Sequence, residues 1–344
     1  MSFDHDAICV LSYGGPRGPE DVLPFMRNAT RGRGIPDERL VEVSGHYALF
    51  GGASPINGQN EALVEALRAA LAERGIDVPI VIGNRNWTPY VADTFTELAA
   101  GGARRVLALA TSAYASYSSC RQYREDIAAA LAATGVELEL DKIGPFAETD
   151  GFVTANADAL RAALAQAQGE PRVIFVTHSI PTAMNAASGP GEGNTYERQH
   201  QRVAAAIAAA VGLPEDRWEI AYCSRSGAPH IPWLEPDVND RMEELAAAGT
   251  TSVVTVPFGF ISDHMEVAYD LDTQAAETAQ RVGQSYVRAA TAGTHPAFVA
   301  MLADAIADPR PGQVGGLPSC GATCCLSGRP GEAKPAACGA DATA

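Results

Sequence analysis

A histidine and two carboxylates follow an apolar run in the second half of this 344-residue chain. Residues 253–258 read Val-Val-Thr-Val-Pro-Phe, and Asp263, His264 and Glu266 come soon after them. In a parallel α/β protein, ligands bind where a strand ends and the next helix begins. Imidazole and carboxylate groups at such a point suit a divalent cation. A structural alternative stays open, because the spacing from Asp263 to Glu266 also fits a helix capping box.

A second histidine, His178, closes the apolar run 172–178. Such a run predicts a buried strand, and a side chain at its carboxyl end can reach into a cleft. Neutral imidazole is a common metal ligand and accepts protons near neutral pH. The alternative is a histidine that only hydrogen-bonds at the sheet edge. Tyr13 has the corresponding place after the run 7–12, where the alternative is a packed tyrosine with a satisfied hydroxyl.

Apolar runs of strand length alternate with helical patterns along most of the chain. In residues 59–74, for example, apolar side chains recur every three or four positions, as in an amphipathic helix. This alternation predicts parallel sheets covered by helices on both faces. We expect two α/β lobes, residues 1–148 and 149–308, followed by a cysteine-rich tail, residues 309–344. Residues 44–57 are expected to be irregular, and the last helix, 295–307, is free to pack back on the first lobe.

The charge of the chain argues against several classes of partner. Its 25 Lys and Arg and 41 Asp and Glu give a net charge of −16, which disfavours nucleic acid and anionic lipid. No apolar run approaches the roughly 20 residues of a transmembrane helix. The first apolar run is preceded by Asp4 and Asp6 and by no Lys or Arg, unlike a signal peptide. We therefore expect a cytoplasmic protein.

One short segment carries the opposite charge. Arg27, Arg31 and Arg33 form a basic patch, and arginine favours the oxygens of carboxylates and phosphates. The patch indicates an anionic ligand, with a solvated loop as the alternative. The usual nucleotide fingerprints are missing from the sequence, so a nucleotide is disfavoured as that ligand.

Cysteines are concentrated near the end of the chain. Of the seven, four lie close together at Cys320, Cys324, Cys325 and Cys338. In a reducing cytoplasm such a group is more typical of a metal site than of disulfides. Free thiols in an unstructured tail are the alternative.

Six blocks of the sequence, taken in order, resemble the ferrochelatases, enzymes that insert Fe2+ into a porphyrin ring. The blocks are residues 11–16, 51–57, 83–90, 176–181, 222–238 and 259–272. The resemblance implies two Rossmann-like lobes, each a four-stranded parallel sheet flanked by helices, with the porphyrin in the cleft between them. It favours the branch that uses coproporphyrin III, because many protoporphyrin-using members lack a tyrosine at the position of Tyr13.

The same resemblance implies roles for individual residues. His178 and Glu266 correspond to the catalytic Fe2+ ligands. Asp263 is then the expected helix cap and His264 a structural residue, since His264 and Glu266 would lie about 200° apart on a helix. His46 departs from the arginine that other members often carry there. The residues expected at the porphyrin are Tyr13, Arg31, His46, Tyr47, Ser54 and Tyr123.

The cysteine tail carries a separate expectation. Cys320, Cys324 and Cys325 resemble the segment that holds a [2Fe-2S] cluster in some ferrochelatases, and Cys120 matches the ligand that those members take from the body of the protein. Cys338 could replace Cys324 or Cys325. Zn2+ also suits four thiolates and is the alternative metal.

The sequence therefore predicts a monomeric enzyme that inserts Fe2+ into coproporphyrin III, forming coproheme in haem biosynthesis. Coproporphyrin carries four propionates, and the basic patch and the lack of an amphipathic membrane segment in the sequence favour this tetracarboxylate. The enzymatic alternatives are a ferrochelatase for protoporphyrin IX and another tetrapyrrole chelatase, such as one that inserts cobalt into a corrin precursor. The alternative outside the enzymes is a haem or iron–sulfur carrier.

Overall fold

Two parallel sheets of four strands form the framework of the protein. The computed structural model describes residues 3–32, 34–309, 323–331 and 333–337. The first sheet has the order β2-β1-β3-β4, and the second has the matching order β6-β5-β7-β8. The strands are β1 (Ala7–Ser12), β2 (Ile80–Asn84), β3 (Arg105–Ala110), β4 (Glu139–Lys142), β5 (Arg172–His178), β6 (Trp218–Cys223), β7 (Ser252–Val256) and β8 (Ser285–Arg288). This arrangement confirms the predicted two-lobed α/β fold.

Helices connect the strands and cover both faces of each sheet. Those of the first half are α1 (Pro19–Ala29), α2 (Asp37–Ala48), α3 (Ile56–Ala72), α4 (Val91–Ala100) and α5 (Gln122–Thr134). Those of the second half are α6 (Asp150–Leu164), α7 (Thr182–Ala186), α8 (Thr195–Val211), α9 (Val238–Ala247), α10 (Met265–Tyr269), α11 (Ala276–Val282) and α12 (Pro296–Ala307). Two π-helical segments, Tyr117–Arg121 and Asp270–Ala275, precede α5 and α11.

The apolar periodicity explains which helices the sequence predicts. In α3, Leu63, Leu67 and Leu71 recur every four residues and are all buried. In α2, Leu40 is the one buried residue, so the apolar pattern is too weak to show the helix. The expectation that residues 44–57 are irregular is therefore wrong at both ends, where α2 and α3 reach into this range.

The last helix, α12, lies against both halves of the chain. Asp304 on α12 accepts hydrogen bonds from Arg74, which follows α3, at 2.9 and 2.7 Å. A Cβ on Gly151 of α6 would come 2.4 Å from the Cβ of Met301, so only glycine permits this close approach of α6 and α12. Side chains of both sheets share one buried apolar cluster with Phe298 of α12. The predicted lobe boundaries are not tested by these contacts and stay a prediction.

No helix among the described residues combines the length and the apolar character needed to cross a membrane.

Candidate active site

His178 is the last residue of β5, an inner strand of the second sheet. Its Nδ1 lies against the carbonyl oxygen of Ser179, which can only accept, so Nδ1 carries a hydrogen and donates. Its Nε2 lies 3.3 Å from Oε1 of Glu266. The backbone bond thus leaves Nε2 to face Glu266, as a proton donor when charged and as a metal ligand when neutral.

Glu266 is the second residue of α10, and the start of that helix differs from the prediction. The cap is His264, whose Nδ1 accepts a hydrogen bond from the backbone N–H of Glu266 at 3.1 Å. The expectation that Asp263 is the cap is wrong, because His264 is still extended, with φ −142°, and the helix begins one residue later. Asp263 instead pairs with Arg288 at 3.2 Å and exchanges hydrogen bonds with Gln59.

The expected angle of about 200° between His264 and Glu266 is wrong for the same reason. His264 lies outside α10, so the angle between positions on a helix does not apply to it. Its Nδ1 lies 3.7 Å from Oε2 of Glu266, which places both side chains at one location. Burial lowers the pKa of His264, and the nearby His178 lowers it further, while Glu266 opposes the shift. A neutral His264 caps the helix through the lone pair of Nδ1.

His178 and Asp270, two titratable groups near Glu266, both have raised pKa values. Burial disfavours the charged form of His178, but the carboxylate of Glu266 outweighs it and the pKa of His178 rises to about 9. Asp270 begins the π-helical segment that follows α10 and accepts a hydrogen bond from the Ser224 hydroxyl. Burial raises the pKa of Asp270 to about 7, with Ser224 opposing and Glu266 adding to the shift. Asp270 can therefore exchange protons near neutral pH, whereas His178 is protonated there.

Residues of the first half close the site from the other side. Tyr47 on α2 packs its ring 6.2 Å from that of Phe25, which in turn lies 6.2 Å from the ring of Tyr13. Burial raises the pKa of Tyr47, and Tyr13 and Glu266 lie near enough to raise it further. Tyr47 therefore interacts electrostatically with Tyr13 in the first half and with Glu266 in the second half.

His46 makes a direct contact between the two halves. Its imidazole stacks on the ring of Tyr269, with the ring centroids 3.8 Å apart and the planes 10° from parallel. His46 belongs to α2 and Tyr269 to α10, three residues after Glu266. Burial lowers the pKa of His46, and Arg39 lowers it further. The structure thus places this predicted substrate contact beside the helix that carries Glu266.

Ser54 and Arg31 lie on the first-half side. The backbone N–H of Ser54 donates to the carbonyl of Pro16 at 2.9 Å, and a Cβ on Gly15 would come 2.6 Å from the Cβ of Ser54. Ser54 therefore packs on the turn that follows Tyr13. Arg31 is exposed after α1, whereas Arg27 of the basic patch is bonded twice to Asp37, at 3.2 and 2.6 Å. Arg33 lies outside the described residues.

Tyr123 is the predicted contact that the structure does not bring to the surface of the site. It is 4% exposed in the core of the first half, and the guanidinium of Arg85 lies 4.2 Å from the centre of its ring. Arg85 is itself paired with Asp126. The sequence pattern of α5 did not show this burial, because an arginine from another segment covers the ring.

Three of the predicted cluster cysteines lie within the described residues, and all three are buried. Cys120 lies in the π-helical turn before α5, with Nζ of Lys142 3.6 Å from its sulfur. The sulfurs of Cys324 and Cys325 are 3.6 Å apart, and both residues pack on Ala115. Cys325 also accepts a hydrogen bond from the backbone of Gly189 at 3.0 Å.

The remaining two cysteines of that prediction, Cys320 and Cys338, fall outside the described residues. Within the described part of the chain, no three His, Cys, Asp or Glu side chains are grouped closely enough to hold a metal ion. Cys120, Cys324 and Cys325 therefore do not form a metal site by themselves in the described part of the chain.

Known proteins resemble the chain over nearly its whole length. The family model described as Ferrochelatase matches residues 5–309. A coproporphyrin III ferrochelatase of Streptomyces coelicolor is 50% identical, with 98% of this chain and 96% of the relative covered. The protein of the same name from Mycolicibacterium smegmatis is 48% identical, with 89% of each chain covered.

Solved structures give the same fold at much lower sequence identity. The sirohydrochlorin chelatase SirB of Bacillus subtilis subspecies spizizenii, in complex with cobalt, has a TM-score of 0.52 and 12% identity, covering 89% of this chain and 96% of that one. At that identity the likeness concerns the fold alone. The family match and the identity to the relatives are decisive, and the chain belongs to the ferrochelatase family.

Proposed function

We propose that this protein inserts Fe2+ into coproporphyrin III, with His178 and Glu266 as the catalytic pair. The observation that carries the proposal is the 3.3 Å approach of Nε2 of His178 to Oε1 of Glu266 at the carboxyl end of β5. Membership of the ferrochelatase family supports the reaction, and the names of the similar relatives support the substrate.

The reaction exchanges two pyrrole protons for one Fe2+ ion. Nε2 of His178 and the carboxylate of Glu266 bind the incoming ion and replace part of its water shell. The same groups then take up the pyrrole protons, because each is a base once the ion has moved into the ring. Asp270, with a pKa of about 7 caused mainly by burial, accepts a proton from Glu266 and releases it toward solvent.

The groups facing this pair suit a planar, carboxylate-rich ring. Tyr13 and Tyr47 supply aromatic surface and hydroxyls on the first-half side, and the stacked His46 borders the same space. Ser54 packs beside Tyr13 and offers a hydroxyl. Arg31 is exposed and, within the described chain, is bonded to no carboxylate, so it is available to a propionate. Tyr123 would contact the substrate only after Arg85 moves from its ring.

A substrate comparison tests the proposal. Fe2+ insertion under anaerobic conditions is followed by the porphyrin absorption spectrum, with coproporphyrin III and protoporphyrin IX supplied at equal concentrations. We expect faster metallation of coproporphyrin III. Faster metallation of protoporphyrin IX would favour the other ferrochelatase branch. Binding of either porphyrin without metallation would favour a haem or iron–sulfur carrier.

We also propose that Cys120, Cys324 and Cys325, with Cys320 from outside the described residues, hold a [2Fe-2S] cluster. The three described thiols are buried and the sulfurs of Cys324 and Cys325 are only 3.6 Å apart, which supports part of this donor set. In the described chain Cys120 is not grouped with that pair closely enough to hold a single ion. Lys142 places a cationic Nζ 3.6 Å from the sulfur of Cys120, which favours a thiolate there. Such a cluster would supply one-electron redox chemistry. Zn2+ bound by the same thiolates is the alternative.

A further inference from the structure

A buried polar network lies behind His178, and none of its members belongs to the metal-binding pair. Thr177, Tyr196 and His200 are 0, 5 and 0% exposed. Thr177 precedes His178 in β5, while Tyr196 and His200 are one turn apart on α8. Buried polar groups cost stability unless their hydrogen bonds are satisfied. Counting the hydrogens of this network therefore shows which group donates and which accepts in each bond.

His200 determines the orientation of Thr177. Nδ1 of His200 lies 2.7 Å from the backbone carbonyl of Tyr196 and must donate to it. Burial lowers the pKa of His200 to about 3, so the ring is neutral and Nε2 bears a lone pair. Oγ1 of Thr177 lies 2.9 Å from Nε2 and must be the donor. The hydrogen of Thr177 is used in this bond, and its oxygen can only accept further bonds.

Tyr196 completes the network at the backbone of His178. Its hydroxyl oxygen lies 2.9 Å from Oγ1 of Thr177 and 2.9 Å from the carbonyl oxygen of His178. Both of those oxygens act as acceptors, so the single hydrogen of the Tyr196 hydroxyl is shared between them. The hydroxyl is held in place from two directions, and it fixes the carbonyl of His178.

The rings of the network are also fixed by packing. His200 stacks on Tyr114, with centroids 3.6 Å apart and planes 11° from parallel. Tyr114 comes from the loop after β3, and its hydroxyl donates to the carbonyl of Phe258 at 3.1 Å. A residue of the first half thus holds the imidazole that orients Thr177.

We propose that Tyr196, oriented by Thr177 and His200, is a positioning residue that aims His178 at Glu266. The network fixes the carbonyl on one side of the His178 side chain, and the bond from Nδ1 to Ser179 fixes the ring on the other. These two constraints orient the ring so that Nε2 points toward Glu266. The inference rests on the proposed role of His178 as a metal ligand. Groups that orient a metal ligand typically contribute 10- to 100-fold to metal affinity, as an order-of-magnitude guide.

The test measures metal binding rather than turnover. Co2+ serves as the probe, because its visible absorption spectrum reports the geometry of its ligands, and its Kd is measured with the full chain. Tyr196→Phe removes only the hydroxyl, and Thr177→Val removes the acceptor. Thr94→Val is the matched control, since Thr94 is also buried but donates to the carbonyl of Ile82 in the first half, at 3.0 Å. Thermal unfolding is recorded for every variant.

We expect Tyr196→Phe and Thr177→Val to weaken Co2+ binding by about tenfold and to alter its spectrum. Thr94→Val should lower Tm without either change. His200→Leu should behave like Thr177→Val, and His200→Gln, which can still accept from Thr177, should restore much of the affinity. Unchanged Co2+ affinity and spectrum in Tyr196→Phe would overturn the inference.

The His178→Ala variant separates this inference from the proposed function. Loss of Co2+ binding in His178→Ala, with no change in Tyr196→Phe, would overturn the positioning role and leave the ligand assignment standing. Unchanged Co2+ binding in His178→Ala, or no Co2+ binding by the wild-type chain, would overturn the ligand assignment and with it the positioning role.

Discussion

Nε2 of His178 lies 3.3 Å from Oε1 of Glu266, so a proton shared by this pair occupies the place that we assign to Fe2+. Burial alone would lower the pKa of His178, yet Glu266 raises it to about 9. A metal ion entering at neutral pH must therefore displace this proton. Proton release and metal affinity are linked as a consequence.

We predict that Co2+ binding at pH 7.5 releases about one proton per ion. Affinity should rise with pH and level off above the pKa of His178, which is about 9. Calorimetry in two buffers with different protonation enthalpies measures the released proton. Glu266→Gln removes the carboxylate that raises the pKa and should reduce the release. Binding to the wild-type chain without proton release would contradict the shared proton.

Asp270→Asn should change the pH dependence of stability. Burial raises the pKa of Asp270 from 3.8 to about 7, so its carboxyl favours the folded state below pH 3.8 and loses that contribution as the pH rises through 7. The asparagine variant carries no such loss. Its Tm relative to wild type should therefore be higher at pH 8 than at pH 5.

Asp37→Asn is the control for that measurement. Arg27 lowers the pKa of Asp37, so its contribution is present above pH 3.8 and does not change between pH 5 and pH 8. Its Tm difference from wild type should be the same at both values. An Asp270→Asn difference that is also independent of pH would contradict the raised pKa.

Arg31→Ala should weaken the binding of coproporphyrin III. Loss of a charge-assisted bond to a propionate should raise KM by about tenfold, with a smaller effect on kcat. Arg39→Ala is the matched control, because Arg39 is similarly exposed but is paired with Glu42 at 2.5 Å. KM and kcat are measured for both variants. An equal effect of the two substitutions would show that the site does not use Arg31 specifically.

Cys325→Ser should remove visible absorption that a [2Fe-2S] cluster would give to the anaerobically purified protein. The absorption should be retained in Cys9→Ser, the matched control, because Cys9 lies in β1 and burial raises its pKa to about 12, so it is a poor thiolate ligand. Iron and sulfide content and the absorption spectrum are compared between the two variants. A colourless, iron-free wild-type protein that contains zinc would favour Zn2+.

The sequence predicts both sheets and the position of His178, because buried parallel strands are continuous apolar runs and a polar residue at the end is easily recognised. The start of α10 is harder to predict. An imidazole cap at His264 is an unusual choice, whereas Asp263 has the usual residue type and spacing. A local pattern therefore gives the wrong cap and a wrong angle between His264 and Glu266.

Three other contacts between distant segments could not be predicted from local patterns. The stack of His46 on Tyr269 joins α2 to α10, and Arg85 covers Tyr123 from another part of the first half. Tyr196 follows an irregular loop and bears no local sign that its hydroxyl reaches the carbonyl of His178. These pairings depend on how helices, loops and strands pack in three dimensions, and no single segment encodes them.

Single-turnover Fe2+ insertion into coproporphyrin III by wild type, His178→Ala and Glu266→Gln, under anaerobic conditions, tests the central claim most directly. Porphyrin binding is measured in parallel by fluorescence quenching. We predict that both variants bind coproporphyrin III with an affinity close to that of wild type and insert iron at least 100-fold more slowly, as an order-of-magnitude expectation for the loss of a metal ligand. Iron insertion at the wild-type rate by both variants would contradict the assignment of His178 and Glu266.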